Sequence, residues 1–410
     1  MKNKFEEFSK KYSLSPELIN VSEQAEKIRN NMLSAMKGTV VDIPMFPSYL
    51  SCEGALREGE NVIVIDAGGT NYRSGLACFR GGSFSVSEVS KAPMPGSGGN
   101  KCSWEEFISF TADSIEPFLD RASVLGFCFS YSAEITPEKD ARVITIDKEV
   151  SISGCEGKLL GQSINEELER RGRKRLKIIV LNDTVAAMLG GMASLKKEDY
   201  SGFAGMICGT GFNICLSYGG MLYNTESGYY LGMPQSALDK AVDEKSLAPG
   251  EKLIEKMISG AYLGLLCREG IIKAVEEGLI APDVLDRLNA FERPDGALTD
   301  AWASGRDDGG ILCSEEAIEF AGLLARSIMS RSAKCAASAL IGAMLLSGSE
   351  EEKPFCVCAE GSLIAKSERF RSCLDKELEE FALGNRKLNY VISLGKDTTL
   401  PGSASAALLN

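Results

Sequence analysis

The chain has 410 residues, 44% of them apolar and 25% charged. At roughly 100–200 residues per domain, this is the length of about two to four domains, and the apolar content excludes disorder over most of it. Asp and Glu outnumber Lys and Arg by 57 to 45, a net charge of −12 that excludes a general nucleic-acid binder and argues against an anionic membrane surface. There is no His at all. Its absence removes Ser–His–Asp triads, Cys–His nucleophiles and His-ligated zinc, and leaves acid–base work near neutral pH to a carboxylate, Lys, Cys or Tyr.

The 13 Cys residues contain no CxxC pair, and Cys356 and Cys358 read as the two faces of one strand rather than a metal clip. No apolar signal region follows the opening MKNKFEEFSKKYSLS, so a cytoplasmic protein with reduced thiols is expected. The apolar stretch Cys335–Ser349 is shorter than the ~20 residues a membrane-spanning helix needs.

In chain order, residues 5–36 are expected as a helix, followed by an extended connector with two prolines, VDIPMFPSYL. Val62–Ile65 is a buried strand, DAGGTN a glycine-rich turn and Tyr72–Phe79 a second strand. Strand–turn–strand fits neither the dinucleotide fingerprint nor the GxxxxGK[ST] loop, both of which open a helix. A helix over Ser103–Leu119, strands at Val124–Phe129 and Arg142–Ile152, a helix over 157–171 and a strand at Lys177–Leu181 follow. That strand runs into NDT and a helix from Val185.

The first pattern then returns: strand Ala204–Cys208, turn GTGFN, strand Ile214–Tyr218. Such a repeat predicts two similar α/β lobes facing a phosphate-bearing ligand. The remainder reads as helical, with an amphipathic helix over Glu251–Arg268 and a central one over Ser314–Leu346. A strand at Phe355–Ala359 precedes a helix opened by EGS, and a Gly-Ser turn precedes a short C-terminal helix.

Gly68 and Gly69 permit positive φ and leave room for a phosphate, with Thr70 offering a hydroxyl and Arg73 a charged donor. Asp66 ends its strand where a carboxylate holds Mg²⁺ through water. Gly209, Thr210 and Gly211 supply matching groups from the second hairpin. Asp183 reads either as a helix N-cap or as the base that takes a proton from an attacking hydroxyl. Ser130, Lys148, Asn182, Asn213, Glu226 and Glu255 are polar groups suited to a polyol, or a set of ordinary solvated side chains.

These segments resemble the motifs of eukaryotic-type hexokinases. VIDAGGTNYRSGL is similar to their first phosphate motif, GFCFSYS to their FSFP segment and VLNDTVAAML to the catalytic NDTVGT segment. GTGFNICL is similar to the second phosphate motif, NTESGYY to NMEWG, and PGEKLIEKMISGAYLGLL to the helix that carries a sugar-binding Glu. PMFPSYL and EGSL fit as well, so the resemblance runs in order from about residue 41 to the C-terminus. The zinc-bearing Cys motif of bacterial repressor-type sugar kinases is absent, which favours the hexokinase branch.

The resemblance implies a two-lobed actin-like ATPase (ribonuclease H-like) α/β fold, ATP with Mg²⁺, and transfer of the γ-phosphate to the 6-hydroxyl of a hexose. The smaller lobe would comprise 60–181 with 396–410, and the larger 1–59 with 182–395. Asp183 would be the base, and Ser130, Asp147, Lys148, Asn182, Asn213, Glu226 and Glu255 would bind sugar. Asp66, Gly68, Gly69, Thr70, Asn71, Arg73, Gly209, Thr210, Gly260, Gly361, Ser362, Gly402 and Ser403 would border the nucleotide.

The chain departs from the pattern in four places. The TKGF segment appears as DKEV, so a sugar-contacting Thr becomes Asp147, and the Pro of FSFP becomes Ser132. The Gly402-Ser403 match needs the insertion KDTTLP, and Pro282–Arg306 matches nothing. A sugar sensor that has lost transfer, with Asp147 as the damaging change, is the alternative. A sugar-independent ATPase is a third reading, against which the Glu226 and Glu255 motifs argue.

Overall fold

The computed structural model describes residues 1–69, 71–146, 150–291, 294–348, 352–384 and 388–410. The single helix expected over 5–36 is two. Helix α1 (Lys2–Lys11) ends before Ser13, which takes φ 55°, and Pro16 opens a 3-10 turn. Asn20 then caps α2 (Val21–Met36) by accepting from the Glu23 N–H. Proline has no N–H for a continuing ladder, and Asn with Glu three residues on is a helix start.

After a two-residue strand β1 (Phe46–Pro47), strands β2 (Asn61–Gly68), β3 (Asn71–Arg80) and β4 (Ser83–Pro93) form an antiparallel meander. Strand β5 (Lys101–Ser103) leads into α3 (Trp104–Ile115), started by a Ser103–Glu106 capping box. Strand β6 (Val124–Phe129) lies parallel to β2, and β7 (Ser132–Ile135) pairs with β8 (Ala141–Thr145). Strand β9 (Ser151–Ser153) pairs with β5 instead, so the single strand expected over 142–152 is two pieces in different sheets. The Val143 backbone, in the middle of the first piece, exchanges hydrogen bonds with Gly157 and Lys158. Helix α4 (Leu160–Arg170) precedes β10 (Lys177–Leu181), which is parallel to β6, and α5 (Asp183–Met192).

The second half repeats the meander with β11 (Gly202–Cys208), β12 (Phe212–Tyr218) and β13 (Met221–Asn224). Helices α6 (Ala237–Glu244), α7 (Leu253–Ile258), α8 (Gly260–Glu276), α9 (Val284–Ala290), α10 (Gly296–Ala303) and α11 (Glu315–Ser347) follow. The helix expected over 251–268 is therefore broken at Ser259, whose backbone is extended. The break has a tertiary cause: the Gly260 N–H donates to the Gly209 carbonyl of the second hairpin at 2.7 Å. Strand β14 (Phe355–Glu360), helices α12 (Ser362–Lys366) and α13 (Glu368–Leu383), strand β15 (Tyr390–Leu394) and helix α14 (Thr399–Leu409) complete the chain.

One sheet runs β10-β6-β2-β3-β4, the other β15-β14-β11-β12-β13-β1. In each, a central strand (β2 or β11) has an antiparallel hairpin partner on one side and a parallel strand on the other. The sequence repeat is thus a repeat of topology, and the expected two-part α/β architecture is present.

Alternate residues of β2 serve different cores: Ile63 and Ile65 pack with α3 and α4, Val62 and Val64 with α5 and α14. Strand β14 divides in the same way. Phe355, Val357 and Ala359 face the core around α11, while Cys356 and Cys358 face α5. Residues two apart in a strand share a face, so the cysteines lie on one face, not two.

Helices α5 and α14 sit between the sheets, pressed very close. A Cβ on Gly402 would overlap the Ala186 carbonyl of α5, and one on Gly126 would overlap the Ser403 carbonyl. The turn expected at Gly402-Ser403 is therefore helix. The Gly402 N–H donates to Thr398 and the Ser403 hydroxyl to the Thr399 carbonyl, and glycine serves close approach rather than a bend. No helix among the described residues is long and apolar enough to cross a membrane.

Candidate active site

The register of the first hairpin sets Asp66 opposite Arg73. The Arg73 guanidinium donates twice to Asp66 Oδ2, from Nη2 at 2.5 Å and Nε at 3.1 Å, and once to Asp397 at 3.0 Å. Thr399 Oγ1, at the head of α14, donates to the same Asp66 oxygen at 3.0 Å and accepts from Arg73 at 2.9 Å. Arg73, expected as a phosphate donor, is here the centre of an ion-pair network joining β2, β3 and α14. At the bend, Gly69 takes φ 56° and its carbonyl accepts from the Tyr131 hydroxyl at 2.7 Å. A Cβ on Gly68 would lie 2.8 Å from the Ser130 Oγ, so glycine is what lets the bend lie against the end of β6. Asn71 is exposed, and Thr70 lies outside the described residues.

The cap reading of Asp183 is excluded by its neighbour. Asn182 Oδ1 accepts from the Thr184 N–H at 2.9 Å and is the N-cap of α5. The Asp183 carboxylate is thus not spent on capping, and accepts from the Thr184 hydroxyl at 3.3 Å. Cys128, in register with Asp66 on one side and Leu181 on the other, reports on both carboxylates. Burial pushes its thiol well above the ordinary range, and Asp66 and Asp183 push it further. The ends of β2, β6 and β10 therefore bring Asp66, Ser130 and Asp183 to one edge of the sheet.

Asn213 and Glu226 meet through Asn224. The Asn213 amide donates to Asn224 at 2.7 Å and to Glu226 at 3.1 Å, and the Asn224 amide donates to the same Glu226 oxygen at 2.9 Å. Glu226 holds φ 52°, a left-handed conformation that a non-glycine residue keeps only where its surroundings demand it. Glu255, on α7, accepts from the Phe212 N–H at 3.2 Å. Its Cβ would be 3.1 Å from any Cβ placed on Gly228, two residues past Glu226. The Tyr229 hydroxyl is raised by burial, with Lys252 opposing and Glu226, Glu251 and Glu255 adding to the rise. Glu226, Glu251 and Glu255 therefore all lie within electrostatic reach of the Tyr229 phenol. Asp147 and Lys148 lie outside the described residues.

The second hairpin is built of glycine contacts. A Cβ on Gly209 would be 2.9 Å from the Ser362 nitrogen, and one on Gly260 would be 3.0 Å from the Gly209 oxygen. A Cβ on Gly296 would lie 3.1 Å from the Gly260 Cα, so the unmatched segment 282–306 reaches this cluster through the head of α10. Gly361 has φ 129° and leaves no space for a side chain against the Cys208 carbonyl. The heads of α8, α10 and α12 thus converge on the bend at Gly209 and Thr210.

A hydrogen-bonded path links the two hairpins. Glu360, beside Gly361, accepts from Thr398, and the next residue, Thr399, reaches Asp66. Gly402 and Ser403 lie one turn further on, buried against α5 and β6. The sequence reading missed Thr399, Asp397, Tyr131 and Asn224. Asn224 carried a signal, standing two residues before Glu226, and Tyr131 followed Ser130. Thr399 was hidden by the expected turn. A separate cleft of about 230 Å³ among Gly54, Leu56, Phe79, Leu189, Met192 and Lys197 contains none of the expected site residues.

A family model described as Hexokinase matches residues 203–409, and a second of the same description matches residues 4–193. A hexokinase of Schistosoma mansoni is 31% identical over 277 residues, which are 60% of this chain and 59% of that protein. Hexokinase-2 of Rattus norvegicus is 29% identical over 295 residues, 64% of this chain and 31% of that protein. The chain thus spans less than two thirds of the length of these relatives. Among solved structures, the Schistosoma mansoni hexokinase complexed with glucose superposes with a TM-score of 0.77 at 24% identity, covering 99% of both chains. That likeness establishes the fold, two-lobed and actin-like. The paired hairpins, the carboxylates at the strand ends and the two consecutive family matches lead to one conclusion: the chain belongs to the hexokinase family.

Proposed function

We propose that the chain transfers the γ-phosphate of ATP to the 6-hydroxyl of a hexose, glucose or a related sugar, with Asp183 as general base. One observation carries the reading: Asn182 rather than Asp183 caps α5, so the Asp183 carboxylate, at the same end of the sheet as Asp66 and held by the Thr184 hydroxyl, is not spent on the helix N–H groups. Phosphoryl transfer needs positioning and charge stabilisation more than covalent help. A carboxylate that orients the hydroxyl and takes its proton suits a chain without His.

Asn213, Glu226 and Glu255, with Ser130, Asp147, Lys148 and Asn182, would hold the sugar hydroxyls. The relative solved with glucose supports a hexose as the ligand class. Gly68, Gly69, Thr70, Asn71 and Arg73 would border the phosphates from one hairpin, and Gly209, Thr210, Gly260, Gly361 and Ser362 from the other. Gly402 and Ser403 would act at one remove, by seating the helix that carries Thr399.

Mg²⁺ fits this arrangement. Among the described residues no group of three or more His, Cys, Asp or Glu side chains could cage a metal. Mg²⁺ keeps several waters and is held by one or two carboxylates plus substrate phosphates. Asp66 receives Arg73 and Thr399 on Oδ2, and its carboxylate would hold a metal-bound water through Oδ1. Bound there, the ion would neutralise phosphate charge. We assign 60–181 with 396–410 and 1–59 with 182–395 as lobes that close on the hexose and exclude water as a rival acceptor. The free thiols fit a reducing compartment such as the cytoplasm.

The test is a coupled assay of ADP release over a hexose panel. Wild type turns over at least one hexose, and Asp183→Ala loses about 10²–10⁴ in kcat while calorimetry still detects hexose binding. Near-normal turnover by that variant would remove Asp183 as the base, and ADP release indifferent to hexose would remove the whole reading.

A further inference from the structure

Helix α7 poses a mechanical problem. It has six residues, starts from Lys252 in the left-handed conformation, and has no side-chain cap. A helix this short does not hold itself in water. Yet it carries Glu255, whose carboxylate faces the β12 backbone and the Glu226 loop. Something outside the helix must fix it.

Lys256, the next residue, is 7% exposed and points elsewhere. Its ammonium donates to Asp243 Oδ1 at 2.5 Å, Ser246 Oγ at 2.8 Å and the Ala248 carbonyl at 2.7 Å. Three donors meet three acceptors, so the buried charge is both paired and fully hydrogen-bonded. Asp243 belongs to the last turn of α6, and its other oxygen accepts from the Gly250 N–H at 2.9 Å. One ion pair thus binds the end of α6, the loop 245–252 and α7 into a single unit. Lys252, at the end of that loop, stands 5.3 Å from the Tyr229 ring, next to Glu226.

We propose that Lys256 is a positioning residue for the hexose site, acting through Glu255 by clamping α7 to α6 and the loop between them. This rests on the hexose reading above. Residues adjacent in a helix are about 100° apart, so Lys256 grips the interior while Glu255 faces the cleft. The nucleotide side is served by other elements, namely the heads of α8, α10 and α12. The clamp therefore governs sugar affinity rather than nucleotide affinity.

The experiment is a double-mutant cycle on the full chain with Lys256→Met and Glu255→Gln, reading hexose KM, ATP KM and hexose binding by calorimetry. Lys256→Met raises hexose KM about ten-fold or more, leaves ATP KM within about two-fold, and makes Glu255→Gln nearly silent when combined with it. If the two hexose effects simply multiply, or if ATP KM rises as much as hexose KM, the proposal is overturned. Circular dichroism checks folding. Should Lys256→Met not fold, Asp243→Asn takes its place in the same cycle, with the same outcomes. A wild-type chain that neither binds nor phosphorylates any hexose overturns the functional reading and this inference together. Wild-type turnover sensitive to Glu255→Gln but uncoupled from Lys256 overturns only the inference.

Discussion

The two hairpins share a topology and differ in chemistry. The first is organised by charge: Asp66, Arg73, Asp397 and Thr399 form one network around its root. The second is organised by missing side chains: Gly209, Gly260, Gly296 and Gly361 stack backbone on backbone. A repeated fold unit has thus been adapted in two ways, one setting a paired carboxylate at its root, the other bringing three helix heads to one bend. Polar N–H groups at helix heads favour anions without any charged side chain, so the second hairpin needs room more than charge.

The contrast breaks or sharpens under substitution. The largest effect is expected at the charged hairpin, where Asp66→Asn lowers kcat by about 10²-fold. Steady-state kinetics should find hexose binding little changed. An unchanged kcat would mean that Asp66 serves only to hold Arg73. Next comes the glycine hairpin. Gly361→Ala forces a side chain into φ 129° against the Cys208 carbonyl, destabilising the fold by about 1–3 kcal/mol. It should also raise ATP KM with hexose KM unaffected. Thermal unfolding and the two KM values check this, and a rise confined to hexose KM would assign the glycine cluster to the wrong substrate. The smallest effect is at Thr399. Thr399→Val removes the hydroxyl that Asp66 and Arg73 share, a loss of about 1 kcal/mol, or about five-fold in kcat. An unaltered rate would show that the path between the hairpins is structural only.

Much of this site was legible because its signals are local. A strand ending in Asp66 before two glycines, and NDT after an apolar strand, are patterns contained in a few residues. The alternative left open at Asp183 was not resolvable locally, since Asn182 and Asp183 are both good caps; the Thr184 N–H selects Asn182. The break at Ser259 had only the Ser259-Gly260 pair as a local warning. Periodicity across 251–268 is continuous, and only the Gly209 carbonyl, far away in the chain, interrupts it. Thr399 was obscured for a related reason: Gly402 looks like a bend in sequence but is there so that α14 can touch α5.

By itself, the order of residues determined the central strands of both sheets, the two bends, the reliance on carboxylates in a chain without His, and the family. Short-range periodicity and backbone freedom are enough for those. The tertiary structure decided which residue caps α5, where α7 ends, that Arg73 is paired rather than free, and that the C-terminal glycine lies inside a helix. Each of these depends on a hydrogen bond or a close approach between segments distant along the chain, and such contacts leave no trace in local pattern.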